Sequence, residues 1–258
     1  MPLVSIYVAS FNHQYYIEKC IKGILNQKVN FIYEVIVHDD CSSDDTVKIL
    51  KKYENNYSDI FKNIYQKKNQ LSIDNSIHLS NLVKYCRGKY ISLLDGDDYW
   101  TDKYKLQKQV DFMNDNNSYS MCFGLSKSNN YLYPKPTKST LYFNDIIKKH
   151  YIPTSTLLFK KEFLPDNFPP KWIKNIIIGD LPLELILASK GPAYFMNNYF
   201  SYYRKHNQGI STNPKQIENG RKSYIRIYSN LRRELPFKFY FILLYFEIKT
   251  IIGGLIKR

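Results

Sequence analysis

Short apolar runs alternate with helix-spaced apolar residues through the first half of the chain, and few folds accommodate that alternation. The runs at residues 3–8, 33–37, 60–65 and 90–94 predict strands, and the segments between them predict helices. Strands that alternate with helices of this length form βαβ units with right-handed crossovers. The sequence therefore predicts an α/β fold, a Rossmann-like and mostly parallel sheet flanked by helices.

Polar clusters follow three of the predicted strands, at residues 10–12, 39–40 and 95–98. In open α/β sheets ligands bind at the carboxyl ends of the strands, so the three clusters are expected to line one crevice. The cluster at 95–98 holds three carboxylates in four positions, which repel one another unless a hard cation compensates. Mg²⁺ or Mn²⁺ held by carboxylates completes its shell with phosphates and water. A cation site for a phosphorylated ligand is predicted, with a solvated acidic turn as the alternative.

Composition excludes several classes of protein. The 258 residues are 44% hydrophobic and 23% charged, which are ordinary globular values and not those of a disordered, collagen-like or coiled-coil chain. The four cysteines lie more than twenty residues apart, a spacing that favours neither a zinc cluster nor a disulfide framework and that fits a reduced, cytoplasmic chain. No basic stretch precedes the first apolar run, so a secretory signal is not expected.

Positive charge is concentrated at the end of the chain. The net charge is +14, and residues 204–258 hold twelve Lys or Arg against three Glu, a net +9. Residues 237–258 are the most apolar stretch, but Lys238, Glu247 and Lys249 interrupt a span that would need about 20 apolar residues to cross a bilayer. A helix lying on an anionic membrane surface is predicted, and a helix packed on the domain is the alternative.

The second half of the chain is less regular. Strands are predicted at residues 120–125, 155–160, 193–196 and 200–204, and a helix is predicted to begin at Asp180. Gly88 and Gly191 are expected to end the helices that precede them, because glycine commonly follows the last helical residue.

Five segments carry these features in a fixed order along the chain. They are VSIYVASFN (4–12), EVIVHDDCSSDDT (34–46), RGKYISLLDGDDYW (87–100), GDLPLELILASKG (179–191) and YRKHNQGIS (203–211). The series resembles that of the family-two inverting glycosyltransferases of bacterial surface-glycan type. The resemblance implies a GT-A nucleotide-diphospho-sugar domain over residues 1–211, with a nucleotide-binding half (1–125) and an acceptor-side half (126–211). Residues 212–258 would form a C-terminal helical extension.

The resemblance also implies roles for residues that bind the nucleotide. Phe11 matches the aromatic residue placed against the base, and Asp39 matches the carboxylate that accepts the base N–H. Asp95 matches the first position of the DxD motif, near the ribose. Lys68, after the third strand, is predicted to serve the base or the phosphates. Cys41 departs from the family pattern, in which glycine is frequent at this position.

A second set of matching residues concerns the metal and the diphosphate. Asp97 is the second carboxylate of the DxD motif and is expected to bind Mn²⁺ or Mg²⁺, and Asp98 to support the loop. His206 resembles the C-terminal histidine that reaches the metal or the diphosphate, a structural histidine being the alternative. Arg204 and Lys205 are expected to neutralise the departing nucleoside diphosphate, as cationic side chains do where negative charge develops.

Inversion in a single displacement needs a carboxylate that takes the proton of the acceptor hydroxyl on the face opposite the leaving group. Asp180, just before a predicted helix, lies where the family places its acceptor-side acid. Glu184, one turn further on, is the alternative base. A third possibility is that Asp180 only caps the helix.

These observations lead to a prediction of function. The chain is expected to be a metal-dependent inverting glycosyltransferase that moves a sugar from a UDP-sugar to an acceptor hydroxyl, on a lipid-linked surface glycan, at the inner face of the cytoplasmic membrane. One alternative is a sugar-phosphate nucleotidyltransferase, but residues 9–12 lack the glycine-rich phosphate loop that this class needs. The other alternative is a non-enzymatic protein that binds polyanions or a membrane surface. Nucleic acid is not an expected partner, because carboxylates at the strand ends repel phosphates unless a cation intervenes.

Overall fold

The structure is a computed structural model that describes residues 1–71, 74, 76–129, 133–176, 179–206 and 214–255. The strands in these residues are β1 (Val4–Ser10), β2 (Tyr33–Asp39), β3 (Phe61–Tyr65), β4 (Tyr90–Asp95), β5 (Tyr99–Trp100), β6 (Met121–Lys127), β7 (Thr140–Leu141), β8 (Leu158–Lys160) and β9 (Ala193–Tyr202). The α-helices are α1 (Ile17–Leu25), α2 (Thr46–Asn56), α3 (Ile77–Tyr85), α4 (Lys105–Asp115), α5 (Phe143–Ile146), α6 (Asp180–Lys190), α7 (Pro214–Glu234) and α8 (Tyr240–Leu255).

All of these strands belong to one sheet, in the order β3-β2-β1-β4-β8-β6-β9-β5, with β7 paired to β9. Strands β1 to β4 are mutually parallel, and β8 turns the direction by pairing antiparallel with both β4 and β6. Six strands, β1 to β4, β6 and β9, consequently point the same way. The α/β fold with a mostly parallel sheet is confirmed.

Helices cover both faces of the sheet, and alternate strand residues face one core or the other. Val4, Ile6 and Val8 of β1 belong to the core under α1, α2 and α4, whereas Tyr7 belongs to the core under α3 and α6. Burial on both faces explains why the parallel strands read as nearly continuous apolar runs.

Two predictions of detail for the second half of the chain are wrong. The predicted strands at 193–196 and 200–204 are the single strand β9, whose register against β6 shifts on either side of Leu125. These irregularities accommodate the exposed polar residues Asn197 and Asn198, which read as a turn in the sequence. The predicted strand at 155–160 is shorter, because Thr154–Thr156 form a 3-10 turn before β8.

Gly88 does not end α3, which stops three residues earlier at Tyr85. A Cβ atom at Gly88 would lie 2.5 Å from the backbone nitrogen of Ser5. The residue therefore permits close approach of the chain to β1, and its role is packing and not helix termination. Gly191, in contrast, does follow the last residue of α6.

The C-terminal helices pack on the domain with one face and expose the other. Leu243 and Phe246 of α8 join the core that also contains α6 and α7, whereas Phe241, Tyr245 and Ile248 are exposed large apolar residues. Within the described ranges, no helix combines the length and the apolar content that a membrane crossing requires. The predicted domain boundary at residue 211 falls outside the described residues and stays a prediction.

Candidate functional site

The carboxyl ends of β1, β2 and β4 meet at one edge of the sheet. Ser10 pairs in register with Asp39, and Ala9 pairs with Asp95. Gly96 N–H donates to the Ala9 carbonyl over 2.7 Å, which ties the loop after β4 to the end of β1. Three polar clusters that are far apart in the sequence are therefore adjacent in the fold, as the strand pattern predicted.

Phe11 and Asp39 lie on the side of this edge nearest β2. The Phe11 side chain is 41% exposed, an orientation open to a flat ligand. Asp39 is 1% exposed and accepts hydrogen bonds from the backbone N–H and the hydroxyl of Ser42. Burial raises the pKa of Asp39, and the hydrogen bonds from Ser42 oppose that rise. Cys41 has a positive φ of 69°, a left-handed conformation that glycine adopts without steric cost.

Asp40 directly follows β2, and Lys68 lies in the adjoining loop after β3. The Asp40 carboxylate accepts the backbone N–H groups of Gln70 (2.7 Å) and Leu71 (2.9 Å), so its role in the structure is to hold this loop. Lys68 is exposed, and no salt bridge joins it to a carboxylate in the described part of the chain. Gln66 N–H donates to the Asp39 carbonyl, so the loop that carries Lys68 lies beside the site, and the predicted role of Lys68 stays a prediction.

The acidic turn after β4 concentrates negative charge in the crevice. Asp95 is open to solvent yet has protein atoms packed around it, and this desolvation together with the charges of Asp97 and Asp180 raises its pKa to about 7. Asp98 is buried, and burial together with the two neighbouring carboxylates raises its pKa well above the usual range. Gly96 is required here, because a Cβ atom would lie 2.8 Å from Nδ1 of His13.

Residues that follow β9 cover this acidic turn. Arg204 N–H donates to Oδ1 of Asp98 (2.9 Å), and its guanidinium donates to the Asp97 carbonyl (2.6 Å). The guanidinium also lies over the rings of Tyr16 and Tyr99, at 5.2 and 4.7 Å from their centroids. His206 Nε2 lies 2.9 Å from Oδ2 of Asp97. The structure therefore brings Asp97 and Asp98 of the acidic turn together with Arg204 and His206, which were predicted to bind the metal and the diphosphate.

Sequence reasoning missed two aromatic residues of this site. His13 Nε2 lies 3.9 Å from Oδ2 of Asp97, and burial lowers the pKa of His13 although Asp97 opposes the shift. Tyr16 stacks on the His206 ring with 4.8 Å between centroids. The signal that could have found them is position, since both follow the first polar cluster by only a few residues.

The donor set around Asp97 fits a divalent cation. Oxygen and nitrogen donors of Asp97 and His206 converge within hydrogen-bonding distance, and Asp95 adds an accessible carboxylate. Burial first, and then repulsion between neighbouring carboxylates, raises the pKa of Asp95 and Asp98, and a cation relieves the repulsion. Carboxylate with imidazole suits Mn²⁺, and carboxylates with phosphate oxygens suit Mg²⁺.

A cavity of about 340 Å³ opens beside Arg204 and His206. Its lining combines aromatic rings with cationic and hydroxyl groups: Tyr16, Lys19, Tyr99, Tyr202, Arg204 and Lys205. Aromatic faces with polar and cationic groups at their edges suit a ligand that carries both hydroxyl groups and negative charge.

Asp180, the predicted general base, is the first residue of α6. Its carboxylate is 31% exposed and accepts a hydrogen bond from the Thr154 hydroxyl (3.1 Å). Among the described residues, its other hydrogen bond comes from the N–H of the next residue, Leu181, which is not a helix-capping geometry. Because the charge of Asp180 raises the pKa of Asp95, the two carboxylates share one electrostatic environment.

Glu184 lies one turn further along α6 but is 1% exposed, and burial followed by the charge of Asp180 raises its pKa well above the usual range. His150, which sequence reasoning did not identify, lies between the two acids. Its Nε2 is 3.8 Å from Oδ2 of Asp180, and its Nδ1 is 3.7 Å from Oε2 of Glu184. The accessible carboxylate of this pair is therefore Asp180.

Several curated relatives of this chain are named as glycosyltransferases. TuaG of Bacillus subtilis, named as a teichuronic acid biosynthesis glycosyltransferase, is 31% identical over 82% of this chain and 82% of its own length. WfaP of Escherichia coli, a UDP-Glc:alpha-D-GlcNAc-diphosphoundecaprenol beta-1,3-glucosyltransferase, is 29% identical over 83% and 81%. The uncharacterized protein Rv1520 of Mycobacterium tuberculosis is 28% identical over 81% of this chain, which spans only 60% of its length.

Solved structures share the fold. TarS 1–349 of Staphylococcus aureus in complex with UDP superposes with a TM-score of 0.72 at 19% identity, over 96% of this chain and 70% of that one. This likeness confirms the expected GT-A architecture. The family model for glycosyl transferase family 2 matches residues 5–170, well over half of the sequence. The chain therefore belongs to glycosyl transferase family 2.

Proposed function

We propose that the chain is a metal-dependent inverting glycosyltransferase that transfers a sugar from a UDP-sugar to an acceptor hydroxyl. One observation carries the proposal. The DxD carboxylates Asp95 and Asp97 lie at the end of β4, and the partly exposed Asp180 begins α6 near enough that its charge adds to the burial and the Asp97 charge that raise the pKa of Asp95. A sugar donor held by Asp95 and Asp97 would present its anomeric carbon towards Asp180.

The nucleotide would lie along the ends of β1 and β2. Phe11 is exposed enough to stack on a base, and the Asp39 carboxylate could accept the N–H of uracil from its buried position. Asp95, open to solvent, would accept hydrogen bonds from the ribose. The TarS complex with UDP, a protein of the same fold, supports UDP as the first nucleotide to test.

The diphosphate would lie at Asp97, Arg204 and His206. Asp97 and His206 would hold Mn²⁺ or Mg²⁺, which when bound supplies positive charge against the leaving diphosphate. Arg204 adds a second positive charge that stacking on Tyr16 and Tyr99 fixes in place. A preorganised charge costs no reorganisation as negative charge develops, which is why such groups accelerate departure of the leaving group.

Asp180 would act as the general base. The acceptor oxygen forms the new bond to the anomeric carbon while its proton passes to Oδ of Asp180, and the bond from that carbon to the diphosphate oxygen breaks with its electron pair leaving on the diphosphate. The Thr154 hydroxyl orients the carboxylate by donating to Oδ2. Inversion follows from attack opposite the leaving group.

The acceptor is proposed to be a lipid-linked surface glycan at the inner face of the membrane. The name of WfaP gives a diphosphoundecaprenol acceptor for that relative. In this chain, Phe241, Tyr245 and Ile248 form an exposed apolar stripe on α8, and Lys238 and Lys249 flank it. An apolar stripe with flanking cations suits the surface of an anionic bilayer, where lysine side chains reach the headgroups.

The experiment that tests the proposal is a thermal-shift panel followed by product analysis. UDP and UDP-sugars should raise the unfolding temperature with Mn²⁺ or Mg²⁺ and much less with EDTA, because a ligand bound only by the native state stabilises it. Turnover should then release UDP and give a product of inverted anomeric configuration by NMR. Release of free pyrophosphate would instead indicate a nucleotidyltransferase, and retained configuration would refute single displacement.

A further inference from the structure

A second group of metal-binding side chains lies on the acceptor side of the crevice, away from the DxD motif. His150, Asp180 and Glu184, which we call the acceptor-side triad, each offer one ligand atom, and these atoms all lie within 4.8 Å of one another. The triad shares no residue with the proposed donor-side metal site of Asp97 and His206. It therefore needs an explanation of its own.

The buried member of the triad, Glu184, has no hydrogen-bond partner among the residues that the structure describes. Glu184 is 1% exposed, and neither of its carboxylate oxygens accepts a hydrogen bond from any residue that the structure describes. Buried polar atoms in native proteins are paired in the great majority of cases, and an unpaired one calls for a ligand, a water or an ion. The carboxylate faces His150 Nδ1 at 3.7 Å, so a compensating group would lie between these two side chains.

The chemistry of the three donors selects among cations. One imidazole with two carboxylates is the donor set of zinc-class transition metals, whereas Mg²⁺ and Ca²⁺ prefer oxygen ligands alone. Around zinc, bonds of about 2.1 Å place neighbouring ligand atoms about 3.4 Å apart. The three ligand atoms, one from each side chain, lie within 4.8 Å of one another, which is somewhat wider than this value. His150 and Asp180 are partly exposed, and small rotations of their side chains would complete the geometry.

We propose that the acceptor-side triad binds a zinc-class divalent cation and that this binding blocks glycosyl transfer. Metal ligation uses the Asp180 lone pair that would otherwise accept the acceptor proton, so the bound cation removes the general base. This second part rests on the proposed role of Asp180, whereas metal binding itself does not. Three protein ligands leave a fourth position for water, as in open zinc sites.

Cobalt binding tests the site directly, with Co²⁺ as a spectroscopic substitute for zinc. Full-length protein in excess Mg²⁺, which occupies oxygen sites, is titrated with Co²⁺ by calorimetry and visible absorption. His150→Gln and Glu184→Gln should each weaken Co²⁺ binding at least about tenfold, in the range seen when metal-site groups are removed. His206→Gln is the matched control: it should remove only Co²⁺ bound at the donor-side site of Asp97 and His206 and leave the Co²⁺ bound at the triad unchanged. Equal Co²⁺ affinity in wild type, His150→Gln and Glu184→Gln would overturn the site.

Activity separates the two parts of the proposal. Zn²⁺ added over saturating Mg²⁺ should suppress transfer by wild type, and the ratio of rates with and without Zn²⁺ should return towards one in His150→Gln. If Co²⁺ binds at the triad but Zn²⁺ leaves transfer intact, the site stands and the assignment of Asp180 as the base is wrong. If Zn²⁺ inhibits wild type and His150→Gln equally, inhibition arises elsewhere and the blocking role is refuted.

Discussion

Asp180→Asn separates chemistry from donor binding. Asparagine keeps the shape of the side chain and an oxygen that can accept the Thr154 hydroxyl hydrogen bond at 3.1 Å, so the fold should be retained. It cannot accept a proton at neutral pH, and a positioned base is typically worth about 10²–10⁴ in rate. At 1.36 kcal/mol per factor of ten, the activation free energy should rise by about 3–5 kcal/mol. Donor binding should be retained, because removing a negative charge near Asp95 weakens repulsion of the diphosphate.

The assay measures UDP release and acceptor glycosylation at saturating donor, together with the thermal shift produced by UDP and Mn²⁺. Glu184→Gln is the matched control, since it removes the neighbouring buried carboxylate of the same helix. We expect Asp180→Asn to lose transfer with an unchanged UDP shift and Glu184→Gln to stay within about tenfold of wild type. If Asp180→Asn turns over normally and Glu184→Gln loses transfer, the base is Glu184. That result would refute the choice of Asp180, which rests on its greater exposure.

Two further predictions concern stability and the membrane. Burial lowers the pKa of Lys105 in the folded state to about 7. Between about pH 7 and pH 10 the unfolded state therefore binds one more proton than the folded state. The free energy of unfolding should then rise with pH by up to about 1.4 kcal/mol per pH unit. Lys105→Met should flatten that slope in urea titrations at pH 7, 8 and 9, and an unchanged slope would contradict a neutral Lys105. Replacing exposed Phe241 and Ile248 with Ser should lower sedimentation with phosphatidylglycerol vesicles several-fold, since both would bury apolar area there. Wild-type binding by this double variant would exclude α8 as the membrane contact.

The first half of the fold could be predicted from sequence because its strands are buried on both faces. Each of β1, β2 and β4 is almost entirely buried and has an apolar centre, and helices separate the strands along the chain. The second half lacks this regularity. β9 has exposed polar residues in its middle, and its pairing with β6 depends on register shifts that only the folded sheet reveals. Gly88 was misinterpreted for a related reason, since its contact with Ser5 is distant in sequence.

The carboxylates of the site could be found in the sequence because each follows a predicted strand. Asp39, Asp95 and Asp97 needed only the rule that ligands bind at strand ends. His150 follows no predicted strand, and its position between Asp180 and Glu184 is set by packing of the segment before β8 against α6. Tyr16 does lie close to a predicted strand end, but an aromatic residue just before an amphipathic helix is most often part of the core, so the sequence did not mark it as a site residue.

The structure also divides the acidic residues into two groups that the sequence presents as equivalent. Asp98 is buried and accepts the backbone N–H of Arg204, and Asp40 is buried and accepts two N–H groups of the loop after β3. These carboxylates already have protein partners and hold loops in place. Asp95 remains open to solvent, and Asp97 meets only histidine side chains at its carboxylate among the described residues. Because an acid without a fixed cationic partner raises the energy of the empty crevice, Asp95 and Asp97 are the pair whose charge a bound cation would relieve.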